Sequence, residues 1–212
     1  MDLFPESLQP EALGFGAVRL VAACFFALYP DDAARERIAE QQLEHCRRLG
    51  LHPRRWRPPE LFHVSIAEWG NAKRLHEPLD DALRNAERHF SHPPIDVTLV
   101  STARFSAQNG EFALVLEADA ETARQVRSLR NALADAQSHS GLVAARGAIR
   151  PHVTIAYGRH VPDETVPIPP IRFRTTTVAM IVSPPGATKH HHLDRWNLQE
   201  PGQLVGRNPR SG

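Results

Sequence analysis

The sequence predicts a single α+β domain, and three observations support that fold class. Short apolar strand patterns alternate with helical patterns, an Asn-Gly pair joins two strands as an antiparallel hairpin, and one five-residue pattern occurs twice. The 212 residues, of which 42% are hydrophobic, are enough to build one domain with a substantial core. The 25 basic residues are balanced by 24 acidic ones, which argues against a protein that coats duplex nucleic acid.

Composition also sets the expected limits of the folded region. Residues 1–17 contain scattered Pro and Gly, and we expect them to form a leader. The folded domain is expected over residues 18–198, and residues 199–212 are expected to form a flexible tail. Cys24 and Cys46 are too few for a disulfide framework or a structural zinc site. The longest apolar run is too short to cross a membrane and follows acidic rather than basic residues, so we expect a cytoplasmic protein.

The first half of the chain predicts the order strand, helix, strand, helix. A continuous apolar strand over 18–28 ends at a Tyr-Pro pair, and two aspartates then begin a helix over 31–49 that stops at a glycine. After a Pro- and Arg-rich connection, a strand is predicted over 61–68. Apolar residues at helical spacing over 75–90 then form the clearest amphipathic pattern in the chain.

The second half is richer in strands. Asn109-Gly110 marks a tight hairpin, because both residues accept the left-handed backbone that such turns require. Apolar residues spaced as in a helix run over 126–136. The predicted strands are 95–105, 111–117, 153–157, 171–182 and 190–198.

An internal repeat predicts two lobes related by a pseudo-two-fold axis. His-Val-Ser-Ile-Ala at 63–67 matches His-Val-Thr-Ile-Ala at 152–156, and Pro-Pro-Ile follows each of them, at 93–95 and 169–171. Each Pro-Pro-Ile leads into a strand and a turn that contains glycine. Two copies of one supersecondary unit explain this order.

The repeated pattern is also the candidate catalytic site. Because alternate residues of a strand share a face, His63 and Ser65 point one way, and His152 and Thr154 do the same on their own strand. One such match is usually a solvated strand face, but two matches in corresponding places of a repeat are much more specific. Two imidazoles across a shared cleft can act as general base and general acid without a metal ion.

With these motifs the sequence resembles the 2H phosphoesterase superfamily, and within it the LigT-like branch of 2′-5′ RNA ligases or RNA 2′,3′-cyclic phosphodiesterases. The resemblance covers roughly residues 18–198 and implies a bilobal α+β fold, with two antiparallel sheets flanking a central cleft and helices outside. Ser65 replaces the commoner Thr, and Tyr157 stands where many members carry Arg. Besides the two motifs, the resemblance rests on Phe25-Phe26-Ala27-Leu28, Pro30, Arg55-Trp56, Pro59-Glu60-Leu61, Gly70, Pro151 and Arg195-Trp196.

The resemblance implies hydrolysis of a 2′,3′-cyclic phosphate on an RNA end or nucleotide, and possibly reversible 2′-5′ RNA ligation. It assigns water activation to His152 and protonation of the departing 3′-oxygen to His63. We expect no cofactor, no stable protein partner and a monomeric protein. The candidate phosphate-binding residues are Ser65, Thr154, Tyr157 and Arg172, all of which carry donors, although Arg172 could equally face solvent.

Three weaker interpretations stay open at this point. Trp56 and Trp69 could stack on a base, although packing in the core is the commoner role for tryptophan. The run His190–His192 could bind a metal ion, but alternation separates its side chains and a solvated strand start is favoured. The same fold could also hold a nucleotide or RNA end without turnover, and the substrate could equally be an ADP-ribose cyclic phosphate or a 2′-5′ linkage.

Overall fold

In the described part of the chain, the fold consists of an eight-stranded antiparallel sheet with three α-helices, which confirms the predicted α+β class. The computed structural model describes residues 23–69, 71–72, 79–184 and 189–199. The predicted leader, the first five residues of the predicted strand over 18–28, and the tail from residue 200 onward lie outside these ranges. No helix in the described residues is both long enough and apolar enough to cross a membrane.

The elements follow the predicted order closely. The helices are α1 Asp32–Arg48, α2 Leu79–Arg88 and α3 Ala120–Ser138. The strands are β1 Ala23–Leu28, β2 Val64–Glu68, β3 Asn71–Ala72, β4 Ile95–Ser106, β5 Phe112–Ala118, β6 Leu142–Val143, β7 His152–Gly158, β8 Val166–Thr175, β9 Thr177–Ser183 and β10 His191–Asn197. The single strand predicted over 171–182 is therefore two strands, β8 and β9, which lie in opposite halves of the sheet.

The strand order confirms the pseudo-two-fold relation and changes one detail of it. The order is β10-β9-β1-β2-β7-β5-β4-β8, so each half contributes four strands and the motif strands β2 and β7 meet in the middle. The two halves join through one bridging pair, Val64 and Val153. The two predicted sheets are thus two halves of one sheet, because this bridge connects them.

The Pro-Pro-Ile echo is not part of the repeat. Residues 93–95 lead into β4, whereas residues 169–171 lie inside β8, and these two strands pair with each other in the same half. In the symmetric strand order the counterpart of β4 is β9. Proline occurs in β8 because an edge strand can lack N–H groups on its open side.

Local sequence signals explain the helix starts and the hairpin. The Asp31 carboxylate accepts a hydrogen bond from the Ala34 N–H at 2.7 Å and begins α1. The Asp119 carboxylate accepts from the Thr122 N–H at 2.8 Å and begins α3 in the equivalent place of the other half. Asn109-Gly110 turns the chain between β4 and β5 with φ of 58° and 70°, as the sequence predicts.

The helices cover one face of the sheet and leave the other face for the site. Helix α1 packs on β7 and β8, and α3 packs on β2 and β4. Val64, Ile66, Val153 and Ile155 point towards the helices and are at most 1% exposed. Burial of these apolar side chains fixes the register of both strands, so the alternate residues, which include both histidines, must face the opposite side.

Candidate active site

A cleft of about 970 Å³ opens where β2 and β7 meet. It is lined by five of the residues that the sequence nominates: His63 and Ser65 from the first motif, and His152, Thr154 and Tyr157 from the second. Arginine, aromatic and apolar side chains complete its walls. The structure therefore brings the two motifs, 89 positions apart in the chain, into one space.

The pairing of β2 with β7 explains how the motifs combine. The two strands run antiparallel with Val64 opposite Val153. Continuing this antiparallel register by one residue puts His63 opposite Thr154. In the other direction, it puts Ser65 opposite His152. By this register each motif histidine is opposite a hydroxyl residue of the other half, as a two-fold axis through the bridge requires, while the hydroxyl that His63 contacts is Ser65 of its own motif.

Both histidines are fixed in the same tautomer. The Nδ1 atom of His63 lies 2.7 Å from the carbonyl oxygen of Leu61, and Nδ1 of His152 lies 2.7 Å from that of Arg150. Because a carbonyl only accepts, each Nδ1 carries a proton and donates it. Each Nε2 is then the atom that gains or loses a proton, and that of His63 lies 3.0 Å from the Ser65 hydroxyl.

Aromatic side chains hold the two imidazoles from matching sides. Phe25 stacks on His63 with ring centroids 5.3 Å apart, and Phe105 packs on His152 at 4.4 Å. Each phenylalanine belongs to a small apolar cluster of its own half of the sheet. These contacts limit ring rotation and remove water from one face of each imidazole.

The charged surroundings of the two imidazoles differ. The pKa of His63 is lowered to about 3, chiefly by burial; the hydrogen bond to the Leu61 carbonyl opposes this effect, and the positive charges of Arg57 and of other histidines add to it. Burial also lowers the pKa of His152, but there the Glu117 carboxylate acts in the opposite direction, against a smaller effect of Arg150. At His152 the Arg150 carbonyl and the Glu117 carboxylate thus favour the protonated form against burial, whereas the charged neighbours of His63 are positive.

A third histidine lies in the cleft. The His190 ring is 4.8 Å from the His63 ring, its Nδ1 is 2.7 Å from the Tyr29 hydroxyl, and its Nε2 is 3.1 Å from the Arg57 guanidinium. The expectation of a solvated strand start is therefore wrong for this residue, which precedes β10 and turns inward. Strand alternation could not locate it, because the position of β10 beside β9 depends on the whole sheet.

Three other nominated residues do not line the cleft. Arg172 is exposed on the edge strand β8, three strands from β7, so its predicted phosphate contact is not supported. Trp69 is 1% exposed and packs in the core, where no base can reach its ring. Trp56 donates its indole N–H to the Leu51 carbonyl at 2.9 Å and packs against the same core.

A metal site at the histidine run is not supported by the geometry. Within the described ranges, no three side chains of His, Cys, Asp or Glu come together as a metal ion would require. His190 and His192 both contact Tyr29, and His190 also binds Arg57, so both ring nitrogens of His190 are already engaged by protein groups.

Comparison with known proteins identifies the family. LigT of E. coli, in a crystal structure with 3′-AMP, is 22% identical and superposes with a TM-score of 0.60, over 85% of this chain and 99% of that one. A protein of Thermus thermophilus is 19% identical with a TM-score of 0.61, over 83% of this chain and 97% of its own. No curated protein matches the sequence. The model of the 2′-5′ RNA ligase superfamily matches residues 29–186, which is most of the chain, and the protein therefore belongs to that superfamily.

Proposed function

We propose that this protein is a metal-independent cyclic phosphodiesterase that opens 2′,3′-cyclic phosphates of RNA ends or nucleotides. The observation that carries the proposal is the matched pair of imidazoles, His63 and His152, which line one cleft with each Nδ1 bound to a backbone carbonyl. Both Nε2 atoms are thereby left to exchange protons with a substrate. A protein that only binds a nucleotide has no need of two such groups.

The reaction needs one proton to be removed and one to be delivered. One imidazole takes a proton from water as the water oxygen forms a bond to phosphorus. The bond from phosphorus to the 3′-oxygen breaks, and the other imidazole protonates that oxygen, which leaves a 2′-phosphate. One water is consumed, and the imidazoles return to their starting states by exchanging a proton with solvent. With a 5′-hydroxyl in place of water, the same steps join that oxygen to phosphorus, release the 3′-oxygen and form a 2′-5′ linkage, and the reverse steps cleave that linkage.

The surroundings of the imidazoles favour one assignment of these roles. His63, with positive neighbours and a pKa lowered to about 3, is suited to accept a proton from water. Burial lowers the pKa of His152 as well, but the Arg150 carbonyl and the Glu117 carboxylate favour its protonated form, which suits it to deliver one. This assignment is the reverse of the one that the family resemblance implies.

The hydroxyl groups of the cleft are suited to hold the phosphate. Ser65 and Thr154 lie on opposite sides of the strand junction, and Tyr157 lies further along β7. Donors fixed in place stabilise the negative charge that develops on the non-bridging oxygens. The Ser65 hydroxyl, now bound to His63, can turn its proton towards a phosphate oxygen when one is present.

The size and walls of the cleft favour a nucleotide as substrate. Its volume of about 970 Å³ exceeds what a phosphate alone needs, and Phe25 and Phe105 line it. The E. coli LigT structures include complexes with 3′-AMP, NADP+ and ATP. We infer that this chain also accepts a nucleoside beside the phosphate. Action as a monomer in the cytoplasm stays a prediction.

The test is turnover of a 2′,3′-cyclic nucleotide in the presence of EDTA, with the product identified by chromatography. We expect a nucleoside 2′-phosphate and no effect of EDTA. Strict dependence on an added divalent metal would rule out the two-imidazole mechanism. Tight binding of the nucleotide without turnover would instead identify the protein as a binding module. Parallel assays with an RNA 2′,3′-cyclic end, an ADP-ribose cyclic phosphate and a 2′-5′ dinucleotide identify the preferred substrate.

A further inference from the structure

Arg57 is a cation of the cleft whose charge no carboxylate offsets in the described part of the chain. By contrast, Arg150, which lines the same cleft, is held by both oxygens of Glu117 at 2.6 and 2.8 Å. The charge of Arg57 acts on its neighbours and lowers the pKa of both His63 and His190. A positive charge left uncompensated in a half-buried position is suited to an anionic ligand.

The backbone of Arg57 is tied to the second motif strand. Its N–H donates to the carbonyl of Ile155 on β7 at 2.8 Å. The buried side chain of Gln42 donates to the same Ile155 carbonyl at 2.6 Å and to the carbonyl of Arg57 at 2.8 Å. These three bonds fix where the arginine side chain leaves the backbone, beside the strand that carries His152.

The end of the side chain is held by His190. A guanidinium only donates, so the Nε2 of His190, 3.1 Å away, accepts from Arg57. His190 must then carry its proton on Nδ1 and donate to the Tyr29 oxygen at 2.7 Å. The Nε of Arg57 donates to the Leu61 carbonyl, which also accepts from His63. Of the five guanidinium N–H groups, three are then without a protein acceptor within the described residues and can bind a ligand.

We propose that Arg57 binds the non-bridging phosphate oxygens of the substrate and that His190, supported by Tyr29, is a positioning residue that holds the guanidinium over the site. This inference rests on the proposed function for the identity of the substrate. Its geometry places a fixed charge next to His63, where negative charge increases as water attacks phosphorus. Arg57 thus supplies the cation that the sequence suggested would come from Arg172.

The first experiment measures inorganic phosphate binding to the purified protein by calorimetry, together with turnover of a 2′,3′-cyclic nucleotide. Arg57→Gln should weaken phosphate binding about 10- to 100-fold, since one or two charge-assisted hydrogen bonds are lost. Arg57→Lys should recover part of the affinity. Arg55→Gln is the matched control, because Arg55 pairs with Glu111 at 2.8 Å and does not line the cleft, and it should leave binding unchanged.

The second experiment tests the positioning role of His190. His190→Leu should raise KM and weaken phosphate binding several-fold, with a smaller effect on kcat. His190→Gln offers an amide oxygen to the guanidinium and should restore most of the loss, which a merely structural role would not predict. His160→Gln, at an exposed histidine outside the cleft, is the control and should behave as the unchanged protein.

The outcomes separate this inference from the proposed function. If Arg57→Gln binds phosphate as tightly as the unchanged protein, or if the unchanged protein binds no phosphate, the role of Arg57 is refuted whatever the turnover. If phosphate binding depends on Arg57 but no cyclic phosphate is hydrolysed, the proposed activity fails and the phosphate site stands. Equal behaviour of His190→Leu and His190→Gln refutes the positioning role.

Discussion

The unequal charges around the two imidazoles predict that His63 is the general base and His152 the general acid. Because burial chiefly lowers the pKa of His63, to about 3, its imidazole is neutral in the free protein at pH 7. As a base it is therefore already in the required form, whereas as an acid it would first have to gain a proton. His152 has Glu117 to favour its protonated form.

Replacing each histidine by alanine and changing the leaving atom of the substrate separates the two roles. With an ordinary 2′,3′-cyclic phosphate, either His63→Ala or His152→Ala should lower kcat/KM by about 10²–10⁴-fold. With a cyclic phosphorothiolate whose 3′ leaving atom is sulfur, the acid is not needed, because a thiolate leaves without protonation. His152→Ala should then recover most of its activity, while His63→Ala should stay impaired.

The reverse pattern, with His63→Ala rescued by sulfur, would refute the assignment and restore the one implied by the family resemblance. Full loss in both variants on both substrates would show that neither acts simply as the acid. The double variant should lose less than the product of the single losses if the pair acts as a unit. His160→Gln serves as the control, since it removes an exposed imidazole outside the cleft.

Three further predictions follow from the same contacts. Ser65→Ala and Thr154→Ala should each lower turnover by about 10²-fold through loss of one phosphate donor, and two unaffected variants would contradict that role. Glu117→Gln should lower the pKa of His152, so the fall in kcat/KM on raising the pH should begin at a lower pH; an unmoved profile would argue against His152 as the acid. Gln42→Leu removes the hydrogen bonds from Gln42 to the carbonyls of Arg57 and Ile155 and should lower the free energy of unfolding by about 1–3 kcal/mol. Urea titration measures this change, and an unchanged midpoint would contradict the prediction.

The sequence alone predicts most of the secondary structure and the pair of histidines that line the cleft. Val64, Ile66, Val153 and Ile155 alternate with polar residues, and period-two patterning of that kind specifies both the strand and its buried face. Helix caps and the Asn109-Gly110 hairpin are equally local, since each needs only a few neighbouring residues to form. The internal repeat then predicts that the two motifs lie in equivalent places of the fold, because each motif occupies the same position in its own repeat unit.

Beyond the two motifs, the sequence does not indicate which distant residues line the cleft. Strand alternation gives the face on which a residue lies but not the place of its strand in the sheet. It leaves both a substrate phosphate and solvent open to Arg172, which is exposed on the edge strand, and it does not bring His190 to the cleft. Arg57 follows no periodic pattern, and its place depends on bonds to Gln42 and Ile155, far apart in the chain. The sequence thus determined the local elements and the twin histidines. The tertiary structure decided the cation beside them and the unequal charges that distinguish the two, because electrostatic interactions depend on distance in space.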